Sequence, residues 1–424
     1  MINIEKLLVE NKSIDAYKIN TRRVESYELF FVHSKLETVR ATDTEGVTVT
    51  VYRDHDGKRG HASFKLYASS TTEDEARAKI DDASAKALLI SNEYYDLPKN
   101  ETLDGVIESN FTDYEPKELA ASMSSAVFGA DMLGMGSVNA LEIFINKNTV
   151  SVKNSCGIDK REVKHSAMIE AIPTWNEGES VELYEAINVS GFNADTIRAE
   201  IEAKMREVRD RGRAKAPDTK PSCPVLLPAE ELSALFGNLA WGLDYSTVYT
   251  HSNPFSEGDL IQKAPVGDLI NLTARGKLDG SVASALFDND GTTLTDTLIV
   301  ENGKVCSYFG DHRFAQYLGK TATGSLSCID VAAGTLTDDE LASAPYFECV
   351  SMSGLQVDVF NDYIGGEVRL AYYFDGEKKI PLTGISISGK LSDALNSLRL
   401  SSEVKQTGRY LGPKCALLGG IEIV

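Results

Sequence analysis

Six histidines, His33, His55, His61, His165, His251 and His312, are the residues of this chain best suited to metal or acid–base chemistry. A zinc hydrolase needs two imidazoles projecting together from one helix, a third ligand from elsewhere, and a carboxylate to activate the metal-bound water. The closest pair, His55 and His61, stands across the tight turn Asp56-Gly57, and no two histidines have the four- or five-residue spacing of a helical ligand pair. Two acids do open an apolar-periodic run, Glu230 and Glu231 in PAEELSALFG, but their neighbours are Ala229, Ser233, Ala234 and Leu235. They read as first-turn residues suited to the positive end of a helix. Ligands can also converge from distant positions. His251 in YTHSNPFSEGD, His312 in GDHRF and Cys415 in GPKCALLGG form the dispersed set that would have to meet, although surface or core roles account for each separately.

Other chemistries fail on spacing. Gly384, Gly389 and Lys390 fit a phosphate-loop pattern, but Leu391 stands where Ser or Thr must reach magnesium, and the intervening ISIS alternates like a strand. No Gly-x-Ser-x-Gly nucleophile elbow occurs. Asp338-Asp339 reads as an exposed turn. The cysteines, at 156, 223, 306, 328, 349 and 415, include no Cys-x-x-Cys pair and read as buried free thiols, Cys306 and Cys349 in apolar strand contexts.

The elements that would hold these residues show in the periodicity. VTVTVY alternates, turns at Asp56-Gly57 and returns as HASFKLY, a hairpin. Thr72 and Glu75 form a capping box for a helix reaching about Ile90, with Ala76, Ile80, Ala83 and Ala87 on one face. Asn100 to Gly136 reads as looser, with FGADMLGMGS as a flexible loop. LEIFINKNTVSVKNSCG and SVELYEAINVSG each end in an Asn-x-x-Gly turn, at Asn154–Gly157 and Asn188–Gly191, which suggests a weak internal repeat. Asp195 caps a helix striped by Ile197, Ile201, Met205 and Val208, with Glu200–Lys204 and Glu202–Arg206 as i,i+4 pairs. The proline-rich stretch 215–224 marks a boundary. Beyond it PVLLP reads as a buried strand, Pro228 starts a helix with Leu232, Leu235, Phe236 and Leu239 inward, and the remainder is β-rich, with turns at Asn302-Gly303 and Asp375-Gly376 and a helix at LSDALNSLRL. The fold class is α+β: an N-terminal α+β region (1–125), a middle strand–helix region (126–218), and a β-rich C-terminal domain (219–424) forming a sheet or partial barrel.

The chain has 424 residues, long enough for two or three cores. With 43 basic and 63 acidic residues its net charge is −20, a field that repels phosphate backbones. The most basic stretch, Arg206 to Lys220, is broken by Glu207, Asp210 and Asp218 and reads as a solvated helix end plus linker. Nucleic-acid partners are not expected. No apolar run is long enough to span a bilayer, and MINIEKLLVENKSID reads as a short amphipathic helix rather than a signal peptide, so a cytoplasmic protein is expected.

Phe287 to Gly319, FDNDGTTLTDTLIVENGKVCSYFGDHRFAQYLG, closely resembles a signature of the TldD/TldE (PmbA) family, peptidase-related proteins once labelled modulators of DNA gyrase. Phe287, Asp288, Asp290 and Gly291 look like the family's Phe-Asp-x-Glu-Gly turn, with Asp for Glu at 290, and the likeness continues through Ile299, Val300, Gly303 and Leu318-Gly319. Residues 362 to 395 resemble a second family segment through Gly376, Pro381, Ile387, Gly389 and Leu391, with Ile364 in place of the family's Ser and Lys390 in place of its Asn. The Gly46-Val47 strands followed by the Thr72 to Ile90 helix resemble its N-terminal pattern. Together the three span nearly the whole chain.

In that family TldD is a metallopeptidase with a His-Glu-x-x-x-His helix, and TldE is its metal-free companion in a complex that trims unfolded or precursor peptides. Neither metal-binding histidine is present here, so the resemblance implies a TldE-type subunit. It implies no catalytic residue and no cofactor on this chain, and zinc on a TldD-like partner. The expected partners are that subunit or a second copy of this chain, and an unfolded peptide, without a membrane. Two alternatives stand beside it: a self-sufficient, homodimeric metal-dependent peptidase using the dispersed ligands, and a peptide-binding module with no peptidase partner.

Overall fold

The computed structural model describes residues 2–67, 69–130, 134, 136–177 and 180–424. A short helix, α1 (Ile4–Glu10), precedes three long strands, β1 (Ala16–Val32), β2 (Lys35–His55) and β3 (Lys58–Leu66). Asp56 (φ 50°) and Gly57 (φ 73°) close the expected β2–β3 hairpin with positive dihedrals at both central residues, which matches strand twist. Next comes α2 (Glu73–Ala87), started by the capping box of Thr72 and Glu75, with Ala76, Ile80, Ala83 and Ala87 all buried. Then follow β4 (Asn92–Glu93), β5 (Glu101–Val106), α3 (Pro116–Gly129), β6 (Gly136–Asn154), β7 (Ile158–Trp175), β8 (Val181–Glu182), β9 (Glu185–Val189) and α4 (Ala194–Arg213).

These strands make one nine-stranded sheet, ordered β4-β3-β2-β1-β6-β7-β5, with β8 and β9 also paired to β7. The antiparallel β1–β6 pairing, Lys18 to Val32 against Asn154 to Ala140, runs across the expected boundary at residue 125, so the first two regions share a single layer. Apolar faces of α1 and α2 cover its β2–β3 end, and α3 and α4 cover β6 and β7.

Several expectations need correction. The stretch expected to be looser holds β5 and α3, whose stripe of Leu119, Ala120, Met123, Ala126 and Val127 is buried; small residues dilute that stripe in the sequence. Residues 131–133 and 135 of FGADMLGMGS lie outside the described residues. Asn154–Gly157 is a true hairpin turn with Gly157 at φ 94°, whereas Asn188–Gly191 leads from β9 into α4, so the two are not equivalent. Asn193, not Asp195, caps α4, its side chain accepting from the amides of Asp195 and Thr196. The Glu200–Lys204 pair does not form, because Lys204 turns to Glu207 and Glu185 while Glu200 reaches Lys405. Cys306 is exposed, since its strand ends at Val305.

In the C-terminal half β10 (Val225–Pro228) runs into α5 (Ala229–Gly242). β10 lies in a second nine-stranded sheet, parallel to Tyr346–Met352 and antiparallel to Cys415–Leu418. A six-stranded sheet, with Leu272–Arg275 and Cys328–Val331 at its centre, forms the other layer. α5 touches strands of both sheets and joins them in the largest core. Among the described residues no helix is long and apolar enough to cross a membrane.

Candidate functional site

α5 carries the adjacent acids Glu230 and Glu231 at its start, and the local sequence explains its placement. Pro228 ends β10 and occupies the N-cap with extended backbone (φ −75°, ψ 170°). Leu232, Leu235, Phe236 and Leu239 are each at most 2% exposed. Burying side chains of this size stabilises by about 1.5–3 kcal/mol apiece before entropy is counted. Phe236 stacks on the buried Tyr410 ring with centroids 6.5 Å apart, fixing the rotation of the helix.

The opposite side of α5 begins with charge. Glu230 Oε1 accepts from Lys405 Nζ at 2.9 Å, and Lys405 lies 3.4 Å from Glu200 of α4. Lys204 of α4 is held by Glu207 at 3.0 Å and Glu185 at 3.4 Å. Burial pushes the carboxyls of Glu185 and Glu207 above their ordinary value. Burial also opposes the Lys204 ammonium, but those two carboxylates outweigh it and keep it cationic. Next to this network Glu231 is half-buried, and burial, with the neighbouring Glu230 charge added, pushes its carboxyl up to about 7. The arrangement can hold or shift protons. It offers no imidazole.

The three dispersed candidates stay apart. His251 is exposed in the turn after Tyr245–Tyr249, with left-handed backbone (φ 56°). His312 opens the helix His312–Tyr317, half-buried, and burial lowers its pKa. Cys415 sits beside Pro228 in the sheet register, its Sγ donating to Asp338 Oδ1 at 3.5 Å; burial first, then Asp338, pushes the thiol up to about 12. Among the described residues no group of three His, Cys, Asp or Glu could hold a metal ion. A zinc ion therefore does not fit the donors present among the described residues. Gly384 to Lys390 is likewise no phosphate loop: Ile385–Gly389 is a strand, and Lys390 is the N-cap of a short helix.

The segment Phe287 to Gly319 has a structural task that spacing alone did not reveal. It docks the two halves. Phe287 is buried against Val152 and Ile158 of the N-terminal sheet. Asp288 Oδ1 accepts from the amides of Asp290 and Thr292, which shapes the turn. Lys18 of β1 donates to Asp290. From β7, Lys160, Glu162 and Lys164 reach this turn and the residues just before it: Lys160 Nζ donates to Thr293 Oγ1, Glu162 Oε2 accepts from the Leu286 amide, and Lys164 Nζ donates to the Ser284 carbonyl. Farther on, Arg313 donates to Asn92 Oδ1 and lies over the rings of Tyr95 and Tyr317.

Comparison with known proteins follows the same division. Residues 219–423 match the PmbA/TldA metallopeptidase C-terminal domain. An uncharacterised protein of Methanocaldococcus jannaschii is 25% identical over 166 residues, 37% of this chain and 40% of its own length, so the match spans well under two thirds of that relative. TldE from Thermococcus kodakarensis aligns with a TM-score of 0.80 at 14% identity over 99% of both chains. A proposed modulator of a DNA gyrase from Thermotoga maritima gives 0.77 at 15% identity, also over 99% of each chain. A similarly described protein from Bacteroides thetaiotaomicron gives 0.78 at 16% identity, over 99% of this chain and 96% of its own. At such identities the structures speak for the fold, and the domain match speaks for descent. The C-terminal half is thus a PmbA/TldA-type metallopeptidase C-terminal domain, and the full-length fold is the one seen in TldE and in the two proteins described as modulators of DNA gyrase.

Proposed function

We propose that this chain is a non-catalytic, TldE-like subunit that pairs with a TldD-like zinc peptidase and helps build the chamber in which unfolded or precursor peptides are held. The observation that carries the reading is α5. The helix keeps its place between the two C-terminal sheets and its packed face, yet Ala229, Glu230, Glu231, Ser233 and Ala234 line its start where a catalytic relative needs imidazoles. Glu230 is already engaged by Lys405, which gives it a structural partner in place of a metal-bound water. Six unpaired cysteines support a reducing, cytoplasmic setting.

Co-expression with a TldD-like protein of the same genome, followed by size-exclusion chromatography and a peptidase assay on an unfolded peptide, tests the reading. Co-elution and peptidase activity exceeding that of the partner alone are expected. Failure to associate, with no rise in activity, overturns it.

A further inference from the structure

β2 is paired on both sides for only part of its length. β1 pairs with it from Lys35 to Tyr52, whereas β3 covers its other side only from Val47 to His55. Among the described residues no strand pairs with the outer edge between Thr38 and Gly46, and most side chains there are exposed. The open stretch is bounded at both ends. At one end Glu37 is a β-bulge, since Phe30 pairs with Thr38 and Phe31 with Leu36; at the other stands Leu66 of β3. A long open edge is a template for another extended chain, and natural proteins usually cover or shorten it.

A cavity of about 430 Å³ opens beside this edge, bordered by Ala41 and Asp43 of β2. Strand register sets Asp43, Glu25, Lys147 and His165 in a row across β2, β1, β6 and β7 on one face of the sheet. Tyr27, Phe111 and Tyr114 supply aromatic walls. Within this lining His165 Nδ1 is buried without a hydrogen-bond partner, and burial lowers the imidazole's pKa. An unpartnered buried polar atom is unfavourable, and a hydrogen-bonding group on a bound molecule would offset that cost. Size, aromatic walls and one unpartnered ring nitrogen are the marks of a binding pocket.

We propose that the β2 edge and this cavity form a docking site for an extended, basic peptide segment. Its backbone adds as a strand along Thr38 to Gly46, in the mode where main-chain hydrogen bonds supply affinity and a pocket beneath alternate side chains supplies selectivity. A tyrosine or tryptophan side chain enters the cavity and donates to His165 Nδ1. Lysine or arginine next to it faces Glu45 and shares Asp43 with Arg23, whose guanidinium holds that carboxylate at 2.6 and 2.8 Å, on a chain whose net charge of −20 favours cations. The site lies on the N-terminal sheet and requires neither α5 nor a peptidase partner, so it stands or falls separately from the subunit reading.

The test titrates a fluorescein-labelled nine-residue peptide, alternating lysine with threonine, valine and one central tyrosine, against the isolated full-length chain by anisotropy. Saturable binding in the micromolar range is expected. Ala41→Trp, which fills the cavity mouth from an exposed position, and His165→Phe should each weaken it about tenfold or more. Thr44→Trp, on the opposite face of the same edge, should leave it unchanged, and a glutamate-for-lysine peptide should bind at least about tenfold more weakly. Absence of saturable binding, or binding that Ala41→Trp leaves intact, overturns the proposal. So does a dimer in sedimentation that Ala41→Trp dissociates, because a second copy would then own the edge.

Discussion

Lys160 Nζ lies 2.6 Å from Thr293 Oγ1, a contact spanning 133 positions of sequence that joins β7 to the signature turn. The Lys160 side chain is 0% exposed, while its ion-pair partner Glu101, 2.8 Å away, is half exposed. Thr293 Oγ1 in turn donates to Glu101 Oε1 at 2.5 Å. Lys160→Met keeps the buried aliphatic stem and removes the ammonium, and Glu101 can return to water. The expected cost is about 1.5–3 kcal/mol, the scale of one charged hydrogen bond. Lys160→Ala adds a cavity and should cost more. Denaturant midpoints followed by circular dichroism check both, midpoints being preferable to extrapolated free energies in a chain with several cores. A Lys160→Met midpoint equal to wild type would show that the contact contributes no stability.

Gly291 and Gly319 separate docking from backbone conformation. Both have positive φ, 85° and 64° respectively. A Cβ on Gly291 would lie 2.7 Å from Ile158 Cγ2 in the interface between the halves, whereas one on Gly319 would meet nothing within 4 Å. Gly319→Ala should therefore cost only the left-handed strain, about 1 kcal/mol. Gly291→Ala adds overpacking of about 1–3 kcal/mol. Thermal unfolding of the two variants side by side is the measurement, with Gly291→Ala expected to melt clearly lower. Equal melting temperatures would mean that the interface yields to the extra methyl.

The same interface shows how far the residues could be read in advance. The β2–β3 hairpin, α2, α4 and α5 were legible because their turns, caps and apolar stripes are local. β7 was not. Its burial alternates, but Lys160 and Glu162 occupy buried positions, so a period of two built partly from charges looks like a solvated strand. Their partners, Thr293 and the Leu286 amide, lie more than a hundred positions away, where no local pattern could show them. The site fared similarly. Missing imidazoles in α5 were visible at once, but the Glu185, Lys204, Glu207, Glu230 and Lys405 network depends on a distant strand bringing Lys405 between Glu200 of α4 and Glu230 of α5.

Glu231 predicts a pH dependence. Its folded-state pKa, about 7, lies above the ordinary value of 4.5. A carboxyl raised in this way contributes stability that is fully present below the unfolded value and is lost as pH rises through the folded one. Glu231 should therefore withdraw stability between about pH 4.5 and pH 7, with Glu185 and Glu207 acting in the same direction and the lowered imidazoles of His61, His165 and His312 acting against them. Glu231→Gln mimics the protonated form. It should match wild type near pH 4 and exceed it by about 1–2 kcal/mol at pH 8, less than the full shift because the group keeps some contact with water. Melting temperatures of both proteins across this range provide the check. A constant gap at all pH values would remove Glu231 as the source.

Metal content tests the premise behind the proposed role. Elemental analysis of the chain purified alone should find far less than one zinc per polypeptide. Zinc requires deprotonated thiolate or imidazole donors brought within about 2.0–2.3 Å of one point. Cys415 is the worst placed of the candidates, since burial and Asp338 hold its thiol protonated until about pH 12. Restoring imidazoles to α5 should not suffice either. Ala229 is 0% exposed in the main core, so a histidine there overpacks it by about 1–3 kcal/mol before any ion is bound. An Ala229→His, Ala234→His double variant is therefore expected to melt lower than wild type and to take up no stoichiometric zinc. Near-stoichiometric zinc in the native chain, lost on His251→Ala or His312→Ala, would mean instead that the dispersed residues do meet, and the subunit would have to be regarded as an enzyme in its own right.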